Sequence, residues 1–298
     1  MYGIIAVVSV LLCLATYFFL YQQNQTDETN GDESNDNQFS YKVAVVDHLG
    51  RKEETENETF KNSSIRILET AGFNVTYYPG EEVTVNFFRN LVSNNYGLIV
   101  LRVHSAIVGD SANLGLFTWE VEEENMYNTP SAPYYDDVLN KRIVRAYLPD
   151  DSTPYFAIAP GFVQKYGDLQ DATVIMMGCD GLKNDTMAEA FVEKGAKGCI
   201  GWDGLVSTSH TDRATTRLLQ HLAQGNTLGQ AVEKTMDEVG PEEMYVQDQG
   251  YESILKYYPG AAGSYTIQPT IYGAFGTIST RANTVLAKEQ KRAQLNRS

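Results

Sequence analysis

From residue 41 onward, short apolar runs take turns with amphipathic stretches. Tyr41 to Asp47 (YKVAVVD) is a run of β-branched and apolar residues bounded by polar ones, which predicts a short buried strand. Asn57 to Ala71 places Ile65, Leu68 and Ala71 on one helical stripe, and Gly72 follows as a stop. FNVTYY (Phe73 to Tyr78) predicts a second strand, Glu81 to Asn95 a second helix with acids in its first turn, and GLIVLRV (Gly97 to Val103) a third strand. After a gap the pattern resumes. TVIMMG from Thr173 predicts a fourth strand, Asp185 to Lys194 a helix and KGCIGW (Lys197 to Trp202) a fifth strand. Ser209 to Gln224 then predicts a helix that Gly225 ends. Thr227 and Gln230 form a capping box that opens a further helix, and SYTIQPTIYGAFGTIS predicts one or two closing strands. Strands alternating with helices imply an α/β fold: a mainly parallel sheet between two helical layers, an αβα sandwich.

The interval 105–171 breaks this rhythm. LGLFTWEV, RIVRAYL and YFAIAPGFV are rich in β-branched and aromatic residues, with turn residues between them. They predict a small β-rich insertion in a core domain spanning 40–285. A long excursion from a compact core is commonly functional.

The N-terminal pattern is of another kind. Residues 1–21 carry no charge, and Gly3 to Tyr21 is close to the roughly 20 apolar residues that cross a bilayer. The expectation is a transmembrane anchor, the alternative being a signal peptide. Residues 22–39 are acidic and nearly free of aromatics, an expected disordered stalk. Residues 286–298 form a basic polar tail. Such a chain is expected to sit in the cell membrane by a single pass, with its body outside the cytoplasm, or else to be secreted. Asn-x-Ser/Thr sequons at Asn24, Asn57, Asn62, Asn74 and Asn184 suit that placement.

Composition narrows the function. The net charge of −15, from 38 acids against 23 bases, argues against nucleic acid as a partner. No Cys-x-x-Cys or His-x-x-x-His spacing suggests a metal, and no glycine-rich phosphate loop follows the first strand, so no cofactor is expected. Beyond residue 21 the cysteines are Cys179 and Cys199. Cys199 lies within a strand and is expected to be buried and reduced.

Ligands of open parallel sheets bind outside the carboxyl ends of the strands. Asp47 and His48 end the first predicted strand, His104 and Ser105 the third, Cys179 and Asp180 the fourth, and Asp203 the fifth. If the third and fourth strands are neighbours, their tips lie roughly 5 Å apart. That spacing suits a thiol and the imidazole that takes its proton. Cys179 is then the candidate nucleophile and His104 the candidate base. The backbone N–H groups of Cys179 and Ser105 are candidate oxyanion donors. Asp47, Asp180 and Asp203 are candidate substrate-binding carboxylates. The bland readings are a buried apolar cysteine, a structural imidazole and turn-forming acids.

LIVLRVHSA followed by TVIMMGCDGL resembles the two signatures of caspase-like cysteine peptidases, a group that includes gingipains, clostripain and CHAT domains. MAEAFVEKGAKGCIGWDGLVS and LLQHLAQGNTLGQAVEKTM are similar to the elements that follow the cysteine in that group. The resemblance implies a caspase-like sheet, His104 as base, Cys179 as nucleophile, and a first specificity pocket near Asp47 and Asp180. Gly178 stands where many members carry Ala, Ser or Asp. The expected function is a membrane-anchored cysteine endopeptidase acting outside the cytoplasm, on peptide or protein substrates, with cleavage after basic residues as the expected preference. The alternative is a caspase-like surface domain that binds peptides without turnover.

Overall fold

The computed structural model describes residues 40–109, 113–148 and 151–267. Six strands form the main sheet: β1 (Lys42–Asp47), β2 (Asn74–Pro79), β3 (Leu98–Arg102), β8 (Thr173–Met176), β9 (Gly198–Trp202) and β10 (Leu255–Tyr258). Their spatial order is β10-β9-β8-β3-β1-β2. Every pairing is parallel except β9 with β10. The fold is therefore α/β, with a mixed, mostly parallel sheet between helices.

The alternation of side chains along each strand explains the layers. Val43 and Val45 of β1 point to one face with Leu98, Val100, Ile175 and Ile200. That face packs against α1 (Glu58–Thr70), α6 (Thr208–Ala223) and α7 (Leu228–Val239) through Phe60, Leu68, Leu218, Leu222 and Ala231. Ala44 and Val46 point the other way with Ile99, Leu101, Val174 and Met176. They meet α2 (Val85–Leu91), α4 (Pro160–Tyr166) and α5 (Thr186–Glu193) through Phe88, Leu91, Phe162, Val163 and Phe191.

The helix boundaries follow their caps. The Asn57 side chain accepts the Phe60 N–H at the start of α1. Both bonds of the Thr227–Gln230 capping box are made at α7. Gly72, Gly195 and Gly225 take positive φ just past α1, α5 and α6, where a side chain would be strained. The second helix is shorter than its pattern predicts. Residues 80–82 form a 3-10 turn, Thr84 caps α2 by accepting the Phe87 N–H, and the Val83 carbonyl accepts from Trp119. The antiparallel edge strand is LKYY, β10, and not the SYTIQ stretch. The part of that stretch beyond residue 267 lies outside the described residues, as does the 286–298 tail.

A second sheet, order β4-β5-β7-β6, is built from β4 (Ser105–Ile107), β5 (Leu114–Val121), β6 (Ile143–Tyr147) and β7 (Pro154–Ile158), all antiparallel. Two short helices, α3 (Tyr135–Leu139) and α8 (Val246–Gln249), complete the described α-helices. The expectation of a membrane-spanning helix as a membrane partner is corrected. Among the described residues no helix is long and apolar enough to cross a membrane. The 1–21 segment that prompted it, and the 22–39 stalk, lie outside the described residues.

Candidate active site

The fourth sheet position decides the site. β8 lies beside β3 in register, Leu101 opposite Met176, and the Met177 N–H continues the ladder to the Leu101 carbonyl at 2.9 Å. Three residues beyond that pair, the chain leaving β3 delivers His104 and the chain leaving β8 delivers Cys179. Both line one cavity of about 510 Å³, with Ser105, Gly178, Asp180 and Val206. The junction is tight. The Ser105 hydroxyl donates to the Cys179 carbonyl at 2.7 Å. A Cβ on Gly178 would stand 2.3 Å from both Ser105 Oγ and the Val103 carbonyl oxygen. Only glycine lets the two strand ends approach this closely.

The backbone donors are placed by the second sheet. In the β4–β5 ladder, Phe117 N–H donates to His104 O, and Val108 N–H donates to Asn113 O, each at 2.9 Å. Antiparallel pairing alternates, so Ser105 between them turns its N–H away from β5. It turns toward Gly178, whose ideal Cβ position is 3.1 Å from Ser105 N. Asp180 takes a left-handed backbone, φ 59°, and its N–H donates to Gly204 O at 2.8 Å, which fixes the turn after Cys179. The Val206 N–H reaches Cys179 Sγ at 3.5 Å, and Sγ lies 3.6 Å from the Val206 carbonyl.

Burial keeps the resting pair neutral. It pushes the Cys179 thiol above the ordinary cysteine range. The Val206 backbone bond opposes the rise and the Asp180 charge adds to it. Burial also pulls His104 down to about 4, helped by the positive charges of Lys52 and Arg102. His104 is held in place by aromatic contacts: His48 edge-on at 5.7 Å between ring centroids, and Phe117 at 6.2 Å. His48 is fully buried, stacked 4.8 Å from Trp119, and its carbonyl accepts the Trp119 indole N–H at 2.6 Å. Neither His48 ring nitrogen has a well-formed hydrogen bond, and the Thr118 backbone only partly offsets the fall in its pKa. Burial and His104 hold His48 well below its usual range.

The three acids separate. Asp180 lines the cavity, 6% exposed, with Lys183 Nζ 3.2 Å from its carboxylate. Asp47 does not line it. Its carboxylate accepts from Gly50 N–H at 2.8 Å, Tyr77 OH at 2.9 Å and Arg102 at 2.7 Å. Asp203 accepts from Ile254 N–H at 2.8 Å and pairs with Lys256 at 2.7 Å, also away from the cavity. The carboxyl-edge rule places all three near the strand ends but does not say where a side chain points.

One cluster beside the site has no local sequence signal. Arg102 is fully buried and forks onto Asp212 of α6, Nε to Oδ1 at 2.7 Å and a terminal nitrogen to Oδ2 at 2.8 Å. It also binds Asp47 and the Thr55 carbonyl, each at 2.7 Å. Asn57 Nδ2 donates to Asp212 Oδ2 at 2.8 Å, so this sequon's amide is part of the cluster. The carboxylate partners are 55 and 110 residues from Arg102 in the chain; what sequence shows is an arginine inside an apolar strand, which must be paired if buried. Cys179 and Cys199 are free thiols, and Cys199 is fully buried. Among the described residues no group of His, Cys, Asp and Glu is arranged to hold a metal ion. No family model matches the chain, and no curated protein matches it in sequence.

Proposed function

We propose that the protein is a thiol hydrolase of the caspase-like type, acting on amide bonds of peptides or proteins. The observation that carries this is the delivery of His104 and Cys179 by adjacent parallel strands to the wall of one cavity, with the Ser105 N–H turned to the same edge. In the resting state thiol and imidazole are both neutral, so proton transfer accompanies attack. Cys179 Sγ bonds to the scissile carbonyl carbon while His104 takes the thiol proton and the carbonyl π electrons move onto oxygen. The Cys179 and Ser105 N–H groups are the donors for that oxyanion. The C–N bond then breaks, His104 returns the proton to the departing amine, and a thioester remains. Water, deprotonated by His104, hydrolyses the thioester and regenerates the thiol.

The raised thiol pKa favours a second reading, a peptide-binding domain without turnover. Incubation of the full chain with peptide-amide libraries separates the two. Cleavage that is lost in Cys179→Ala and in His104→Gln supports the hydrolase. Binding without cleavage in the wild-type chain supports the domain that only binds.

A further inference from the structure

We propose that the cavity beside Cys179 selects an uncharged apolar or aromatic side chain on the acyl side of the bond that is cut. This rests on the hydrolase reading and specifies its substrate. The apolar and aromatic walls include Leu49, Phe117, Leu148, Met177, Leu205 and Tyr245, which stand on β5, just after β1, β6, β8 and β9, and at the start of α8. Among the described residues no lysine or arginine lines the cavity, and Asp180 is the only carboxylate that does. Lys183 already stands 3.2 Å from that carboxylate. Asp47 and Asp203, the other acids at this sheet edge, are occupied by Arg102 and by Lys256.

A cationic side chain entering here loses its hydration among apolar walls and meets a carboxylate that Lys183 neutralises. An acidic side chain meets Asp180 and no free cation. An aromatic side chain brings some 150–250 Å² of surface to bury, and the cavity has the size of an ordinary small-ligand pocket.

Leu205 is the specificity-determining position. Its backbone is pinned on both sides, the N–H donating to Gln249 Oε1 at 2.9 Å and the carbonyl accepting from Ser253 Oγ at 2.7 Å. Its side chain is half-buried, so a substitution changes the wall without releasing the loop.

The test is the rate at which Cys179 in the full chain is alkylated by peptidyl chloromethyl ketones ending in Phe, Leu, Arg or Asp, followed by intact mass. Iodoacetamide serves as the control without a side chain, and Cys179→Ala as the blank. The expected result is labelling by the Phe and Leu probes about 100-fold faster than by Arg or Asp. In Leu205→Asp the Arg probe should gain and the Phe probe lose. Fastest labelling by Arg or Asp, or equal rates for all four, overturns the pocket assignment and leaves the hydrolase reading standing. Labelling by iodoacetamide with no labelling by any peptidyl probe removes both.

Discussion

Replacing Gly178 by alanine should unfasten the strand junction that holds the site. The added methyl would lie 2.3 Å from Ser105 Oγ and 2.3 Å from the Val103 carbonyl oxygen. The hydroxyl can rotate away, but it then gives up its 2.7 Å bond to the Cys179 carbonyl, worth about 1 kcal/mol. The Val103 carbonyl is backbone and can retreat only by parting the ends of β3 and β8. Overpacking of this kind costs about 1–3 kcal/mol. Gly178 is not at positive φ, so alanine recovers about 0.4–1 kcal/mol by restricting the unfolded chain. The net loss is therefore about 1–3.5 kcal/mol. Urea unfolding followed by fluorescence reports it, because the two tryptophans sit one in each sheet, Trp202 on β9 and Trp119 on β5, both buried. In a Ser105→Ala background the same change should cost about 1 kcal/mol less, since the hydroxyl bond is already gone. A loss under about 0.5 kcal/mol, or no coupling with Ser105, would refute the claim that the junction is closed by glycine.

Three further outcomes are expected. Cys179 alkylation by iodoacetamide should climb with pH through the neutral range and show no plateau below pH 9, because burial raises the thiol; a plateau between pH 5 and 7 would mean a preformed thiolate–imidazolium pair. His104 is held neutral down to about 4 in the fold, but the unfolded chain binds that proton near 6.5. Its contribution is thus whole above pH 6.5, falls as pH drops from 6.5 to 4, and is flat below. Discounting for partial exposure, His104→Gln should make the acid loss about 2–3 kcal/mol smaller over that window in urea titrations. Asp212→Ala leaves a buried arginine half paired and should cost about 3–5 kcal/mol by thermal or urea unfolding, and Asp212→Asn, which removes the charge and turns an amide NH2 toward the Arg102 or Asn57 donors, should recover little of that loss.

What sequence makes legible here is what local rules govern. β1, β3, β8 and β9 declare themselves by uninterrupted apolar runs, because a parallel strand is buried on both faces. α1 and α7 declare their starts through Asn57 and Thr227, whose bonds span three residues. β10 is missed because LKYY is an edge strand with an exposed lysine, and nothing local distinguishes it from a loop. The same limit applies in the site. That His104 and Cys179 end strands is readable from their runs. That Asp47 turns to Arg102 and away from the cavity depends on Asp212, which sits on a helix more than a hundred residues later.

The Arg102 cluster also bears on the order in which the chain is made. By the time β3 leaves the ribosome, Asp47 and the Thr55 carbonyl are available to the guanidinium, but the two-pronged partner on α6 is not. Until residue 212 emerges, closing the sheet around Arg102 would bury a charge with half its ligands. The N-terminal half therefore has a built-in reason to stay open during synthesis, and the cavity that Cys179 and His104 line closes only when the C-terminal helices arrive. Fragments ending before α6 should be protease-sensitive, for want of one carboxylate as much as for want of core.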